Sequence, residues 1–328
     1  MTISFGWTAA RAALLCAVFA SGAVLAQAPS NYPSKPIRVI IPFPPGNTSD
    51  LLARLIAPKF AERTGQQFIV ENRSGASGLI GMEFITKAPP DGYTIGVGQG
   101  GNMVIAPHTF KKMPYDALKD IQTIAVMGTN YLGIVANPKV PFNTIGGMVD
   151  WAKKNPGQLT VATNGEGGFP HLAFEQLGVM APFKFQHIPY KGSAAIVTDL
   201  AGGQVEVGID GISGIAPHIR SGRIKLLGIT NDKRVPLWPG VETANESVPG
   251  YTSGGWFGFV APAGVPKEII AKLNEEINRA MKLPDVNEKM VNMGLIVVTE
   301  SAEYFDRLFR EDYAKFAKLI KDIGYQPQ

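Results

Sequence analysis

An alternation of two periodicities is the feature that most constrains this chain. From Ile37 onward, short runs rich in β-branched residues are each followed by a helix-patterned segment. "IRVIIPF" reads as a strand, and "LLARLIAPKFAERTG" as a helix with Leu52, Ile56 and Phe60 on one face and Gly65 as its stop. "QFIVEN" is the next strand, followed by the turn "RSGASG", the helical "LIGMEFITKA" and the strand "YTIGVGQ". Strand and helix in alternation predict an α/β fold, with parallel strands covered by helices on both faces.

The alternation is then interrupted and resumed. "IQTIAVMGTNYLGIVANP" is long, extended and poor in helix formers, so it is expected to carry the chain from one domain into another. A capped helix, "NTIGGMVDWAKKNPG", ends at Pro156-Gly157. "LTVATNGEGGFPHLAFEQLG" then repeats the opening strand, Gly-rich turn and helix. "PYKGSAAIVTDLAGGQ", "VEVGIDG" and "IKLLGIT" complete the second set, and the irregular Asn231 to Gly255 is expected to lead back. "GWFGFVAPAGVP" is a strand and turn, with three helical stretches after it. The reading is two α/β lobes, each a mixed, mostly parallel sheet flanked by helices: residues 29–129 with 252–328, and residues 130–251. The crossings fall near Gly128 and Gly250, and the C-terminal helices pack on the first lobe. Two lobes joined by a double crossing hold a cleft between them, and closure about the crossings traps a ligand. No short fixed-period repeat occurs, which excludes a solenoid.

Residues 1–28 stand apart. Arg11 precedes the apolar run Ala12 to Val24, and small residues then fit cleavage near Ala26 or Ala28, the pattern of a secretory signal peptide. The run is short for a bilayer span. The remaining chain, about 300 residues, is long enough for two domains and a sizeable core. The single cysteine, Cys16, lies inside the leader. A chain otherwise free of thiols suits an oxidising compartment such as the periplasm. The net charge of +4 is spread thinly, and Lys111-Lys112 and Lys153-Lys154 are too small for a nucleic-acid stripe.

Two strand-to-helix turns carry the chemistry. In "PFPPGNTSD", residues 42 to 50, backbone N–H groups at a helix start and the helix dipole suit an anion. Asn47 is positioned to cap the helix with Asp50 as its reciprocal partner, and Thr48 and Ser49 add hydroxyls. The turn lacks the Gly-Lys-Ser/Thr of a phosphate loop and the spaced glycines of a dinucleotide turn. A plain strand-to-helix turn is the competing reading. In "NGEGGFPH", Gly165, Gly167 and Gly168 let a ligand approach the backbone, and Pro170 suits a first helical turn. His171 stands near that helix start, as a helix-cap or packing residue or as a ligand contact. Opposed helix N-termini, one per lobe, suit a ligand with an anionic group at one or both ends.

Catalytic signatures are missing from these motifs. "GISGI" lacks the last glycine of a nucleophile elbow, and His108, His171, His187 and His218 are scattered. Asp199, Glu206 and Asp210 have no evident acid/base partner. The chain reads as a binder with no cofactor and no metal.

Taken in order, "YPSKPIRVIIPFPPG", "VENRSGASGLIG", "APPDGYTIGVG", "NGEGGFPHLAFEQL", "PYKGSAAIVTDLAGGQVEVGID", "SGRIKLLGIT" and "FGFVAPAGVP" resemble the periplasmic solute receptors of tripartite tricarboxylate transporters, the Bug receptors. The resemblance implies a two-lobed, Venus-flytrap (type II-like) binding protein that closes on a small carboxylate and hands it to membrane subunits. It implies a monomer in the periplasm. It places ligand contacts at Phe43, Gly46, Asn47, Thr48 and Ser49 in the first turn, and at Gly101 and Asn102 nearby. In the second lobe it places them at Asn164, Gly167, Gly168, Phe169 and His171, and at Lys191, Gly192, Asp210, Gly211 and Ile212. Asn47 stands where the family commonly has glycine, Gly168 where it has serine, and Glu166 brings a negative charge. These departures point to a ligand with one carboxylate and a neutral, aromatic or amide-bearing far end. A sensor subunit or an enzyme on the same fold is the alternative.

Overall fold

In the computed structural model, which describes residues 31–327, the opening strand β1 (Ile37–Ile41) is apolar enough to be covered on both faces. Ile37, Val39, Ile40 and Ile41 are wholly buried. It pairs in parallel with β2 (Phe68–Asn72) and β3 (Thr94–Gln99). Helix α1 (Thr48–Thr64) buries Leu52, Ile56 and Phe60, as their spacing requires, and Gly65 ends it in the left-handed region. Phe60 stacks on Phe68 at 3.8 Å between ring centroids, fixing helix to strand. Helix α2 (Leu79–Thr86) covers the sheet, and a π-helical turn, Gly101–Ile105, leads into α3 (Ala106–Thr109).

The long extended segment is one strand shared by two sheets. In β4 (Ile121–Ala136), residues up to Tyr131 pair with β9 (Gly254–Pro262), and residues from Leu132 pair with β7 (Val207–Gly211) and β8 (Lys225–Ile229). Its partners therefore change between Tyr131 and Leu132. Helix α4 (Ile145–Lys154) leads to β5 (Leu159–Asn164), α5 (Phe169–Met180) and β6 (Phe185–Tyr190). Helices α6 (Ser193–Gly202), α7 (Ile212–Arg220) and α8 (Ala244–Ser247) complete the second lobe. The sheet path runs β2-β1-β3-β9-β4-β7-β5-β6. The outer strands are parallel, and the pairings of β4 and β9 are antiparallel because the chain crosses between lobes and returns along adjacent strands.

Helices α9 (Lys267–Met281), α10 (Pro284–Asn292) and α11 (Ala302–Asp322) follow, and α11 packs Phe305, Phe309 and Phe316 into the first-lobe core. Between α10 and α11 a short strand, β10 (Leu295–Val297), adds itself antiparallel to β4. Three residues are too few to show a period, so the sequence pattern reads only helices there. The second lobe has a separate core on each face of its sheet. Leu172 of α5 nevertheless joins the first-lobe core, and Phe169 meets Phe316 at 5.9 Å. The signal-peptide expectation for residues 1–28 lies outside the described residues. Among the described residues no helix is long and apolar enough to cross a membrane.

Candidate ligand cleft

The two Gly-rich turns are wired differently. In the first, Asn47 caps α1: its Oδ1 accepts from Ser49 N at 3.0 Å and from Ser49 Oγ at 2.7 Å. The capping box expected on Asn47 is displaced by one residue. Asn47 N already donates to Pro44 O at 3.3 Å, so the Asp50 carboxylate accepts from Gly46 N instead, at 2.9 Å. Asp50 is 2% exposed and also accepts from Arg54 Nε and Asn72 Nδ2, each at 2.9 Å. Burial pushes this carboxyl up, but the Gly46 N–H, the Asn72 amide and the Arg54 guanidinium outweigh it and hold Asp50 below the usual carboxylate range. Ser49, expected as a free hydroxyl donor, is wholly buried and spends both its N–H and its hydroxyl on Asn47. Phe43 alone of this turn lines the cleft.

The second turn is open. Gly165 and Gly167 have φ of 84° and 67°, conformations that suit glycine. Gly168 precedes α5 as its N-cap with no side-chain cap, and Pro170 occupies the first turn. The α5 N-terminus therefore keeps unsatisfied N–H groups and its positive dipole end. Asn164, Glu166, Gly167, Gly168 and Phe169 all line the cleft.

Between these elements lies a cavity of about 620 Å³. The first lobe contributes Phe43, Ser77, Gln99, Gly100, Gly101, Ile105, Ala106, Thr109 and Phe110. The crossing strands contribute Asn130, Gly255, Trp256 and Phe257, and Tyr325 reaches in from beyond α11. The Trp256 indole donates to Asp312 Oδ2 at 2.8 Å, which fixes that wall. Asn130 Oδ1 is buried without a partner among the described residues, and a Cβ on Gly255 would stand 2.6 Å from it, so only glycine leaves it room. Among the described residues no Lys, Arg or His lines the cavity, and Glu166 is the one charged residue that does. An anion held here would rest on backbone N–H groups, neutral side chains and helix dipoles.

Comparison with known proteins settles the family. Residues 52–325 match the family described as "Tripartite tricarboxylate transporter family receptor". The chain belongs to this family. A UPF0065 protein in the tcbD-tcbE intergenic region of Pseudomonas sp. (strain P51) is 35% identical over 90% of this chain and 88% of its own. Among solved structures, R. palustris Rpa4515 with adipate is 30% identical, with a TM-score of 0.77, over 90% of this chain and 100% of its own. MatC from Rhodopseudomonas palustris with bound malate is 28% identical, with a TM-score of 0.72, over 88% and 100%.

Within this receptor, the expected contacts fall into three groups. Phe43, Gly101, Asn164, Gly167, Gly168 and Phe169 come together on the cleft. Gly46, Asn47 and Ser49 are bonded within the turn that follows Phe43, Thr48 begins α1 off the cavity lining, and Asn102 is wholly buried with its Oδ1 accepting from Gln99 N. Lys191, Gly192, Asp210, Gly211 and Ile212 follow or end β6 and β7, on the same rim as the second turn but off the cavity lining. Asp210 is buried, which pushes its carboxyl up against the bonds from Ser193 and Gly211 N, and its Oδ2 has no partner among the described residues. His171 is 7% exposed and turns Nδ1 to Gly167 N rather than to the cavity. The aromatic wall of Trp256, Phe257 and Tyr325 was not expected. Asn130, one of four polar residues in β4 with Gln122, Thr123 and Thr129, carried no signal in the sequence that marked it as the floor of a site.

Proposed function

We propose that this receptor captures a small organic carboxylate between its lobes, in the periplasm, and delivers it as a monomer to the membrane subunits of a tripartite tricarboxylate-type transporter. The lobes in this reading are residues 29–129 with 252–328, and 130–251. The observation that carries it is the uncapped α5 N-terminus, with the Gly167-Gly168 backbone, facing a cavity that has aromatic walls and, among the described residues, no cationic side chain. One carboxylate fits the open α5 end. A second would meet Glu166 on one side and the consumed donors of the first turn on the other. The aromatic walls and the unpartnered Asn130 Oδ1 favour an apolar or aromatic body with a neutral donor at its far end. Adipate and malate, bound by the two R. palustris relatives, support the carboxylate class. Calorimetric titration with terephthalate, adipate, nicotinate and nicotinamide tests the reading. We expect nicotinate to bind and nicotinamide to bind far more weakly. Tight binding of the two dicarboxylates alone would overturn the one-carboxylate part, and no binding of any acid would overturn the class.

A further inference from the structure

The second-lobe turn hangs on one imidazole. Gly167 N donates to His171 Nδ1 at 2.9 Å. With Nδ1 accepting, the proton of the neutral ring sits on Nε2, which faces Glu175 Oε1 at 3.4 Å. The His171 ring lies flat on His187, centroids 3.7 Å apart and planes 7° from parallel. His187 Nε2 is 2.6 Å from Thr163 Oγ1, and that hydroxyl donates to Gly165 O at 3.2 Å. The stacked pair thus grips the turn at Gly165 and at Gly167, while neither ring lines the cavity.

We propose that His171 is a positioning residue whose neutral ring holds the Gly165–Gly168 turn in the shape that receives a carboxylate, and whose protonation releases that turn and weakens capture. This rests on the carboxylate-receptor reading above. A proton on Nδ1 would point at the Gly167 N–H, donor against donor, so the 2.9 Å contact cannot survive it. The groups that face the ring come from several elements. Glu175, on the same helix, favours the charged ring, and His187, from β6, opposes it. Glu166 lies within the turn, and the Tyr325 phenol packs on Gly167, where a Cβ would stand 2.4 Å from its Oη. Burial, then the neighbouring His171, pushes His187 down to about 4. His187 therefore stays neutral where an ordinary imidazole titrates, and one proton works the device. The sign follows: the turn is held while the ring is neutral and let go once Nδ1 takes a proton.

The test follows the His171 ring nitrogens and the Gly167 amide by NMR in the ligand-free protein from pH 8 to 5.5. Calorimetry with adipate and nicotinate covers the same range. In the wild type, the Gly167 amide should move on the His171 titration curve, and affinity should fall about tenfold, the size of one lost hydrogen bond. His171→Asn places an acceptor near the Nδ1 position that does not titrate, so its Gly167 amide should stay still. Its affinity profile should keep only the slope of each acid's own ionisation. A Gly167 amide that ignores His171, or a His171→Asn protein with the wild-type slope, overturns the proposal. If neither acid binds at any pH, the receptor reading fails, and the Gly167 amide still decides whether His171 holds the turn.

Discussion

The turn at 42–50 and the turn at 164–171 are nearly the same object in sequence, each a strand, a Gly-containing bend and a helix start. In the folded chain they do opposite work. The first turn closes on itself: Asn47, Ser49, Asp50 and Gly46 satisfy one another, and Arg54 and Asn72 finish the carboxylate. The second leaves its helix end bare and is braced from behind by His171 and His187. A helix N-terminus attracts an anion only while its N–H groups are unspent. In the first lobe Asn47 Oδ1 takes one of them, Ser49 N, and the Asp50 carboxylate takes Gly46 N just before the helix. In the proposed reading, this asymmetry makes the first turn a joint and the second turn the receptor surface.

The largest expected effect breaks the joint. Asp50→Ala strands Gly46 N, Asn72 and Arg54 around a buried gap and should cost about 3 kcal/mol, the scale for breaking a buried charged network. Thermal melting should show a loss of several degrees or more. Nicotinate affinity, measured well below the new midpoint, should change little; a loss of affinity without a loss of stability would reverse the assignment of the two turns. Next comes Gly167→Ala. Its Cβ would stand 2.4 Å from Tyr325 Oη on a backbone with φ of 67°. Stability should fall by only about 1 kcal/mol, while adipate and nicotinate affinity should fall tenfold or more as the turn and Tyr325 shift apart. Unchanged affinity would sink the receptor role of this turn.

Acid should separate the same two turns. His187 is held at about 4 against an ordinary 6.5, chiefly by burial. The unfolded chain therefore binds a proton that the folded chain refuses, and this share of stability is complete above about pH 6.5 and falls away toward pH 4. Discounted for a partly exposed ring, it is on the order of 1–2 kcal/mol. Asp50 is depressed below its ordinary 3.8, so its share is present above that value and is lost only at lower pH. Melting temperature against pH should show both limbs, and His187→Gln should flatten the upper one alone. A curve that stays level from pH 6.5 to 4.5 would contradict the brace.

Much of this was legible in the sequence, and the limits have a physical cause. Leu52, Ile56 and Phe60 announce their helix because a buried face must repeat every three to four residues. The length of β4 announces a crossing because 16 extended residues, poor in helix formers, exceed the usual span of a strand in one sheet. The state of the first turn was not legible: Asn72 and Arg54 reach Asp50 only in three dimensions, and their bonds decide which donors remain. Tyr325 lies 158 positions beyond Gly167 and carries no periodic or motif signal. Ser49 looked like a donor for a ligand because polar residues in turns usually are, yet it is wholly buried and bonded inside the lobe. Asn102, expected from the family resemblance, is buried with its Oδ1 on Gln99 N, and its Nδ2 has no partner among the described residues.

Asn47→Gly is the smallest expected effect and the sharpest test of why the turns differ. It removes the Oδ1 that accepts from Ser49 N and Ser49 Oγ and restores the residue common in the family at this position. An Asn-to-Gly change at an N-cap costs only a few tenths of a kcal/mol, so melting should hardly move. The freed Ser49 N–H and hydroxyl would lie behind Phe43, at the first-lobe wall of the cleft. If Asn47 is what closes this turn to ligand, adipate should gain roughly two- to fivefold in affinity, within the worth of one net hydrogen bond, while nicotinate stays near its starting value. An equal gain for both acids would mean that the first turn meets the carboxylate they share, and that the open α5 end does not hold it alone.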